Sequence, residues 1–165
     1  MNTLRAISLL CATITMGLVT GTFALFAHTI MPGLRNSDDH TFVAAFQSID
    51  RAIINPWFMS TAFVGALLFT AAAVVTNLDG AALPWVAVAL GLYLIAFVIT
   101  VAVNVPLNDA IKAAGNPDRI HDLQSVRQRF HEARWAAWNL VRVATSVGAF
   151  GCLAWALVLY GRSTP

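Results

Sequence analysis

The segment RWAAWNLVR carries hydrogen-bond donors and flat aromatic side chains immediately before a long apolar run. On a helix, four side chains separated by four, three and four positions form one stripe: His131, Trp135, Trp138 and Arg142. Asn139 lies beside this stripe. Arginine and asparagine can hold an oxyanion in an apolar site, histidine can take a proton near neutral pH, and tryptophan offers a flat wall to an aromatic ligand. These residue types suit the deprotonation of a flat, acidic carbon compound to its enolate.

A second polar motif, NVPLND, lies at the end of an earlier apolar stretch. Asn104 and Asn108 are four positions apart, so they share a helix face. Pro106 between them frees a backbone carbonyl one turn earlier. Both asparagines are therefore candidates to line the same site.

Composition and the lengths of the apolar stretches predict the elements that position these residues. The chain has 165 residues, of which 58% are hydrophobic and 11% charged, against about 45–50% and about 25% in soluble domains. A helix needs about 20 apolar residues to cross a bilayer. Four stretches reach that length: residues 6–31, 57–76, 81–104 and 136–160. We therefore predict an all-α fold, a four-helix transmembrane bundle forming one integral membrane domain over residues 1–165.

Two further elements belong to the connections. Residues 39–54 have apolar side chains at helical spacing with Gln47, Asp50 and Arg51 opposite, which predicts an amphipathic helix capped by Ser37 or Asp38. We expect this helix to lie as a lid across the bundle end that holds Asn104 and Trp135. From Asn116, a predicted N-cap followed by Pro117, the helical pattern continues to Tyr160 without a breaker, so the fourth helix should protrude from the bilayer or bend.

The connections between helices one and two and between helices three and four lie on the same side of the membrane. The polar candidates therefore gather at one end of the bundle, where His28, Asn55 and Arg134 join them. Simpler explanations exist for some: the tryptophans suit an interfacial aromatic belt, Arg134 could bind lipid phosphate, and Arg142 could extend its charge to the interface. However, an arginine in the membrane core costs at least about 2.5–3.5 kcal/mol. The convergence of several polar residues favours a lined pocket.

Several classes of function are disfavoured. Cys11 and Cys152 stand alone in apolar stretches, which argues against a disulfide framework and a membrane thiol oxidoreductase. No basic patch interleaved with aromatics suggests nucleic acid binding. The four apolar stretches lack the acidic residue that ion-coupled carriers bury. His28 and His131 could hold a metal, but a catalytic site normally has three protein ligands. The first apolar stretch is about twice the length of the 7–15-residue core of a signal peptide.

NVPLND and RWAAWNLVR together resemble the anthrone-oxygenase-like family of small four-helix membrane proteins, as do MPGL after the first helix and QSIDRAIINPWF before the second. The resemblance covers nearly the whole chain. It implies oxidation of an anthrone-type polyketide to the anthraquinone, with molecular oxygen as co-substrate and no required cofactor. The protein need supply only a base, an anion hole and a dry pocket. The motif residues that it carries over are Asn104, Asn108, Arg134, Trp135, Asn139 and Arg142.

We therefore expect a membrane-embedded oxygenase acting on a lipophilic aromatic through a stabilised enolate. The expected catalytic residues are His131, Asn139, Arg142, Asn104 and Asn108. The expected substrate-binding residues are Trp135, Trp138, Arg134, Asn55 and His28. The alternative is a non-catalytic membrane binding or assembly subunit that contacts a lipid or a partner protein. Expected partners are the aromatic substrate and membrane lipid, not nucleic acid, in a multi-pass protein of a bacterial inner membrane; self-association is left open.

Overall fold

The computed structural model describes residues 2–163, and these residues form helices joined by short turns. Within them, four helical spans are long and apolar enough to cross a membrane: Thr3–Arg35, Phe58–Thr76, Leu83–Ala113 and Leu123–Arg162. The predicted all-α four-helix bundle is confirmed. The α-helices are α1 (Asn2–Leu25), α2 (Met31–Arg35), α3 (Asp39–Ile53), α4 (Val64–Thr76), α5 (Leu83–Ile99), α6 (Val105–Ala113), α7 (Leu123–Phe130) and α8 (Glu132–Ser163).

The transmembrane core is built from small and apolar side chains. Helix α1 packs against α4 and α8, and α5 packs against α8. Small residues allow helix backbones to approach closely where lipid gives no hydrophobic driving force. Large apolar side chains cover the outside of the bundle, as a lipid-facing surface requires. The buried core includes Ala12, Met16, Ala66, Ala89, Ala149 and Leu153.

Three spans contain a π-helical turn, in which hydrogen bonds run from residue i to i−5. The first turn spans Phe26–Ile30 and the third Thr100–Asn104. Pro32 follows the first and Pro106 the third, and both helices continue past the proline. The bounds predicted from the apolar stretches, residue 31 for the first helix and residue 104 for the third, are therefore too short, since the helices continue to Arg35 and Ala113. A proline lacks the N–H and crowds the carbonyl of residue i−4, and the wider preceding turn accommodates both.

The second π-helical turn, Phe58–Phe63, begins the second span. The N–H of Val64 closes it by donating to the carbonyl of Met59. A Cβ at Gly65 would collide with the carbonyl oxygen of Ser60, so the turn requires glycine at this position.

The predicted amphipathic helix is α3, and it forms the lid. Asp38 is its N-cap: the carboxylate accepts from the N–H of Thr41 at 3.0 Å, and this bond together with that of the Thr41 hydroxyl lowers the pKa of Asp38. The helix packs against α2, α6 and α7. The ring of Phe46 lies edge-on to Trp135, with 5.9 Å between ring centroids. This contact confirms that α3 covers the bundle end.

The chain from Pro117 onward is not one helix. Asn116 caps a short 3-10 turn, Pro117–Arg119, and α7 then ends at His131, whose backbone is left-handed with φ 51°. Helix α8 starts anew at Glu132. The predicted continuous stripe from His131 to Arg142 was therefore wrong in its first member. Phe130, the last residue of α7, is fully buried and packs against Phe46 of the lid.

Candidate functional site

A cavity lies between the lid α3, the three π-helical turns and α8. It encloses about 180 Å³, well above the roughly 10–15 Å³ that one water needs. Each π-helical turn contributes to its wall, through Phe26, through Phe58 and Met59, and through Thr100. π-helical turns are often found at functional sites. The walls are mainly aromatic and aliphatic, with a few charged and polar groups at two places.

The first polar region of the cavity wall is formed by Arg142. Its side chain is buried, at 5% exposure, and lines the cavity. Nη1 donates to the Thr100 hydroxyl at 3.1 Å and Nη2 to Asn139 Oδ1 at 2.7 Å, while the buried Nε has no partner. The guanidinium carbon lies 4.4 Å from the centre of the Phe23 ring.

No carboxylate in residues 2–163 forms an ion pair with Arg142. A buried charge is normally paired, because removing it from water is costly. An anion, or an oxygen that gains negative charge, would supply the missing partner in the cavity.

Asn139 holds the side chain of Arg142 in position. It is fully buried and outside the cavity lining, and its amide donates to the carbonyl of Phe23 at 3.1 Å. This bond orients Oδ1 toward Arg142. Asn139 therefore supports the guanidinium, and this contact explains why the membrane helix carries both residues.

The second polar region of the cavity wall is a chain of hydrogen bonds. The indole N–H of Trp135 donates to Asn108 Oδ1 at 2.7 Å, and Asn108 Nδ2 donates to Asp50 Oδ1 at 2.6 Å. The ammonium of Lys112 lies 2.7 Å from Asp50 Oδ2. Because Asn108 has one partner at each end of its amide, its orientation is fixed. Asn104 is buried beside Trp135, and its amide donates to the Trp135 carbonyl at 3.3 Å.

Sequence reasoning missed Asp50, Lys112 and Thr100 as cavity residues. The sequence pattern placed Gln47 and Asp50 on the polar face of the amphipathic helix, but both are buried. The reason is that α6 extends past Pro106 and covers that side, where Gln47 donates to the carbonyls of Ile111 and Gly115. A signal was present: Asn108 and Lys112 are four apart on one helix face, and they offer an amide donor and a positive charge to a carboxylate such as Asp50.

Seven of the ten predicted residues lie outside the cavity lining: Asn104 and Asn139, which are buried behind it, and Asn55, His28, His131, Arg134 and Trp138. Asn55 has a structural role, since its Oδ1 accepts from the N–H of Phe58, the first residue of the second π-helical turn, at 2.9 Å. Exposed His28 contacts the neighbouring Thr29 hydroxyl, and exposed His131 ends α7. Arg134 is exposed and Trp138 is 39% exposed, as the interfacial explanation requires.

The described residues contain no group of three or more His, Cys, Asp or Glu side chains that could hold a metal ion. His28 and His131 therefore have no third ligand of these types around them in residues 2–163. Binding of a metal by these two histidines stays an untested prediction.

A family model described as anthrone oxygenase matches residues 42–152, about two thirds of the chain. The matched region includes Asp50, Asn108, Lys112, Trp135 and Arg142. No curated protein and no solved structure shows a significant match.

Proposed function

The chain belongs to the anthrone oxygenase family, and from this premise we propose that it oxidises a lipophilic, anthrone-type aromatic with molecular oxygen through an enolate. Membership indicates an oxygenase-type function, and the four apolar spans indicate a membrane protein. The observation that carries the proposal is Arg142, a buried cation without a carboxylate partner on the wall of an aromatic-lined cavity. We place the protein in a bacterial inner membrane.

In the proposed reaction, the substrate carbonyl oxygen faces Arg142 and the acidic carbon faces Asp50. The C–H bond breaks, the proton moves to the Asp50 carboxylate, and the electron pair delocalises onto the carbonyl oxygen. The guanidinium stabilises this oxyanion, which is the kind of charge that preorganised donors hold best in a dry site. Asp50 takes the role of base that the sequence suggested for His131, because Asp50 lines the cavity and His131 does not.

The enolate then reacts with oxygen at the same carbon. Transfer of one electron to oxygen and recombination give a peroxide anion. This anion takes the proton back from Asp50 to become a hydroperoxide, which loses water to leave a carbonyl group. One oxygen atom is retained and the other leaves as water, so a CH₂ group and O₂ become C=O and H₂O without a further reductant. Phe23, Phe26 and Trp135 supply the flat walls that orient the rings.

The test is oxygen uptake by detergent-purified protein with anthrone substrates, with and without a chelator. We expect one oxygen consumed per quinone formed. Arg142→Lys keeps the charge but loses the planar fork that engages Thr100 and Asn139 together, so turnover should fall by about 10²-fold or more, the scale for an oxyanion donor. A lysine variant with wild-type turnover would remove Arg142 from the mechanism. Wild-type protein that binds anthrones without consuming oxygen would support a non-catalytic binding or assembly subunit instead.

A further inference from the structure

The cavity reaches the outer surface of the bundle between the second and third spans. On the third span, Val98, Val101 and Val105 are three and four positions apart and form one exposed stripe, as a lipid-facing surface requires. Val105, at 39% exposure, also lines the cavity. Ile54, which directly follows the lid helix, is 58% exposed and lines the same cavity. Two apolar side chains therefore belong both to the cavity wall and to the outer surface.

The second and third spans separate toward the lid. They are joined through Phe63, whose ring stacks on Phe97 with 4.8 Å between centroids and whose carbonyl accepts from the Tyr93 hydroxyl at 2.7 Å. Nearer the lid, the second π-helical turn packs against α1 and the third against α8. These two turns, residues 58–63 and 100–104, do not pack closely on each other. Both line the cavity, which therefore occupies the space between them.

Toward water, the cavity wall is charged instead of apolar. Lys112 lies 2.7 Å from Asp50 and 3.0 Å from Asp109, and all three side chains line the cavity. A lipophilic aromatic that entered here would have to separate paired charges and bring them against its apolar rings, which is costly. At Ile54 and Val105 it would displace only apolar side chains, and exposed side chains change rotamer within nanoseconds.

We propose that the aromatic ligand enters and leaves the cavity from the bilayer, through a lateral opening bounded by Ile54 and Val105. Trp57, which is 63% exposed, lies at the start of the second span, where tryptophans mark the membrane interface. The lateral opening thus faces the leaflet next to the lid, and the compartment on that side supplies the ligand by partition into this leaflet. The inference rests on the proposed function for the class of ligand, a lipophilic aromatic, and does not require turnover.

The test measures how fast a ligand exchanges with the full chain in lipid nanodiscs. The probe is a fluorinated anthraquinone, which has no acidic C–H and therefore cannot turn over. Fluorine NMR at equilibrium gives the dissociation rate, a titration gives Kd, and the two together give the association rate. Val105→Leu and Val105→Trp narrow the lateral opening by increasing amounts. Val101→Trp is the matched control, because Val101 lies on the same exposed stripe but outside the cavity lining.

A further variant tests entry past the lid. Arg127 donates to the carbonyls of Ser37 and Arg35, both at 3.0 Å, and so holds the chain that leads into the lid helix. Arg127→Gln removes these bonds and loosens the lid. If the ligand passed the lid from water, this variant would exchange it faster than the wild type.

We expect Val105→Trp to slow association and dissociation by a common factor of about ten or more, because a bulkier side chain raises the barrier to passage in both directions. Kd should therefore change much less than either rate. Val105→Leu should slow both rates by a smaller common factor, and it decides the question alone if Val105→Trp does not assemble. Val101→Trp and Arg127→Gln should exchange the ligand at the wild-type rate.

Wild-type exchange rates in the Val105 variants, or a weaker affinity through faster dissociation alone, would overturn the proposal and leave Val105 as part of the cavity wall only. Faster exchange in Arg127→Gln without an effect at Val105 would also overturn it, in favour of entry past the lid. Failure of the proposed function looks different: the Val105 effects would remain, but the wild type would consume no oxygen with an anthrone. A wild type that binds no anthraquinone would overturn both proposals.

Discussion

Trp135 contacts both polar regions of the cavity wall. Its ring lies 5.4 Å from the guanidinium carbon of Arg142, and its N–H holds the amide of Asn108. Trp138, three positions later, is 39% exposed. The sequence pattern places both tryptophans near one stripe and cannot separate a pocket residue from an interfacial one. Their difference depends on the lid, whose Phe46 packs against Trp135.

We predict that Trp135→Phe, which keeps a ring but removes the N–H, leaves Asn108 Oδ1 without its donor. Asn108 is only half-buried, and loss of a typical intramolecular hydrogen bond costs about 0.5–1.5 kcal/mol. The free energy of unfolding should therefore fall by about that amount. Turnover should also fall, because the amide that orients Asp50 is released. Denaturant titration and oxygen uptake measure the two effects. Trp138→Phe is the matched control and should change neither; equal effects of both variants would contradict the assigned difference.

Other residues of the site were predictable to different degrees. Arg142, Asn108 and Trp135 stand out because they are polar or amphipathic side chains next to membrane spans, where such residues usually face a site. Asp50 and Lys112 do not, because helical periodicity places them on a polar face that looks solvent-exposed. Only the tertiary contact between α3 and α6 buries Asp50. Sequence periodicity reports one helix at a time and carries no information on such a contact.

At the scale of elements, apolar length predicts the four spans, but the local geometry within them depends on details that hydropathy does not contain. Pro32 and Pro106 look like helix ends, and the π-helical turns before them allow the helices to continue. Conversely, His131 looks like a helix interior residue and adopts the left-handed conformation instead. Histidine is among the non-glycine residues found there more often than most.

The break at residue 131 predicts the outcome of His131→Gly. Glycine adopts positive φ without the cost of about 1–2 kcal/mol that an L-residue meets there, though it also loses more entropy on folding. We expect stability to change by no more than about 1 kcal/mol and oxygen uptake to stay at the wild-type level. If His131 were the base, uptake should fall by about 10²-fold or more. That result would show that His131, as predicted from the sequence, is the proton acceptor.

The second π-helical turn predicts a strict requirement at Gly65. An added methyl group in Gly65→Ala meets the carbonyl of Ser60, so the backbone must shift and carry Phe58 and Met59 away from the cavity. Overpacking of this kind costs about 1–3 kcal/mol. We expect a lower unfolding midpoint and a higher KM for the aromatic substrate. Gly91→Ala is the control, since a Cβ there contacts nothing within 4 Å; a Gly65→Ala protein as stable as this control would contradict the requirement.

At the scale of the whole molecule, the lid, the charged end of the cavity and the break at His131 all lie at one end of the bundle. The orientation of that end decides which compartment exchanges substrate with the site. Basic residues are distributed unequally between the two ends. The cavity end has Arg35, Arg51, Lys112, Arg119, Arg127, Arg129 and Arg134, and the opposite end has Arg5 and Arg162.

Short cytoplasmic connections carry an excess of lysine and arginine, so this asymmetry predicts that the cavity end faces the cytoplasm and both termini face outward. Some of these cations serve the fold, since Arg127 pairs with Asp39 and Arg35 with Glu132. Exposed Arg119 and Arg129 remain and support the same orientation. A reporter fused after residue 165 should be accessible to a membrane-impermeable probe in intact cells, and one inserted between residues 116 and 122 should not. The reverse labelling would place the lid outside, and would require the substrate to arrive from that side.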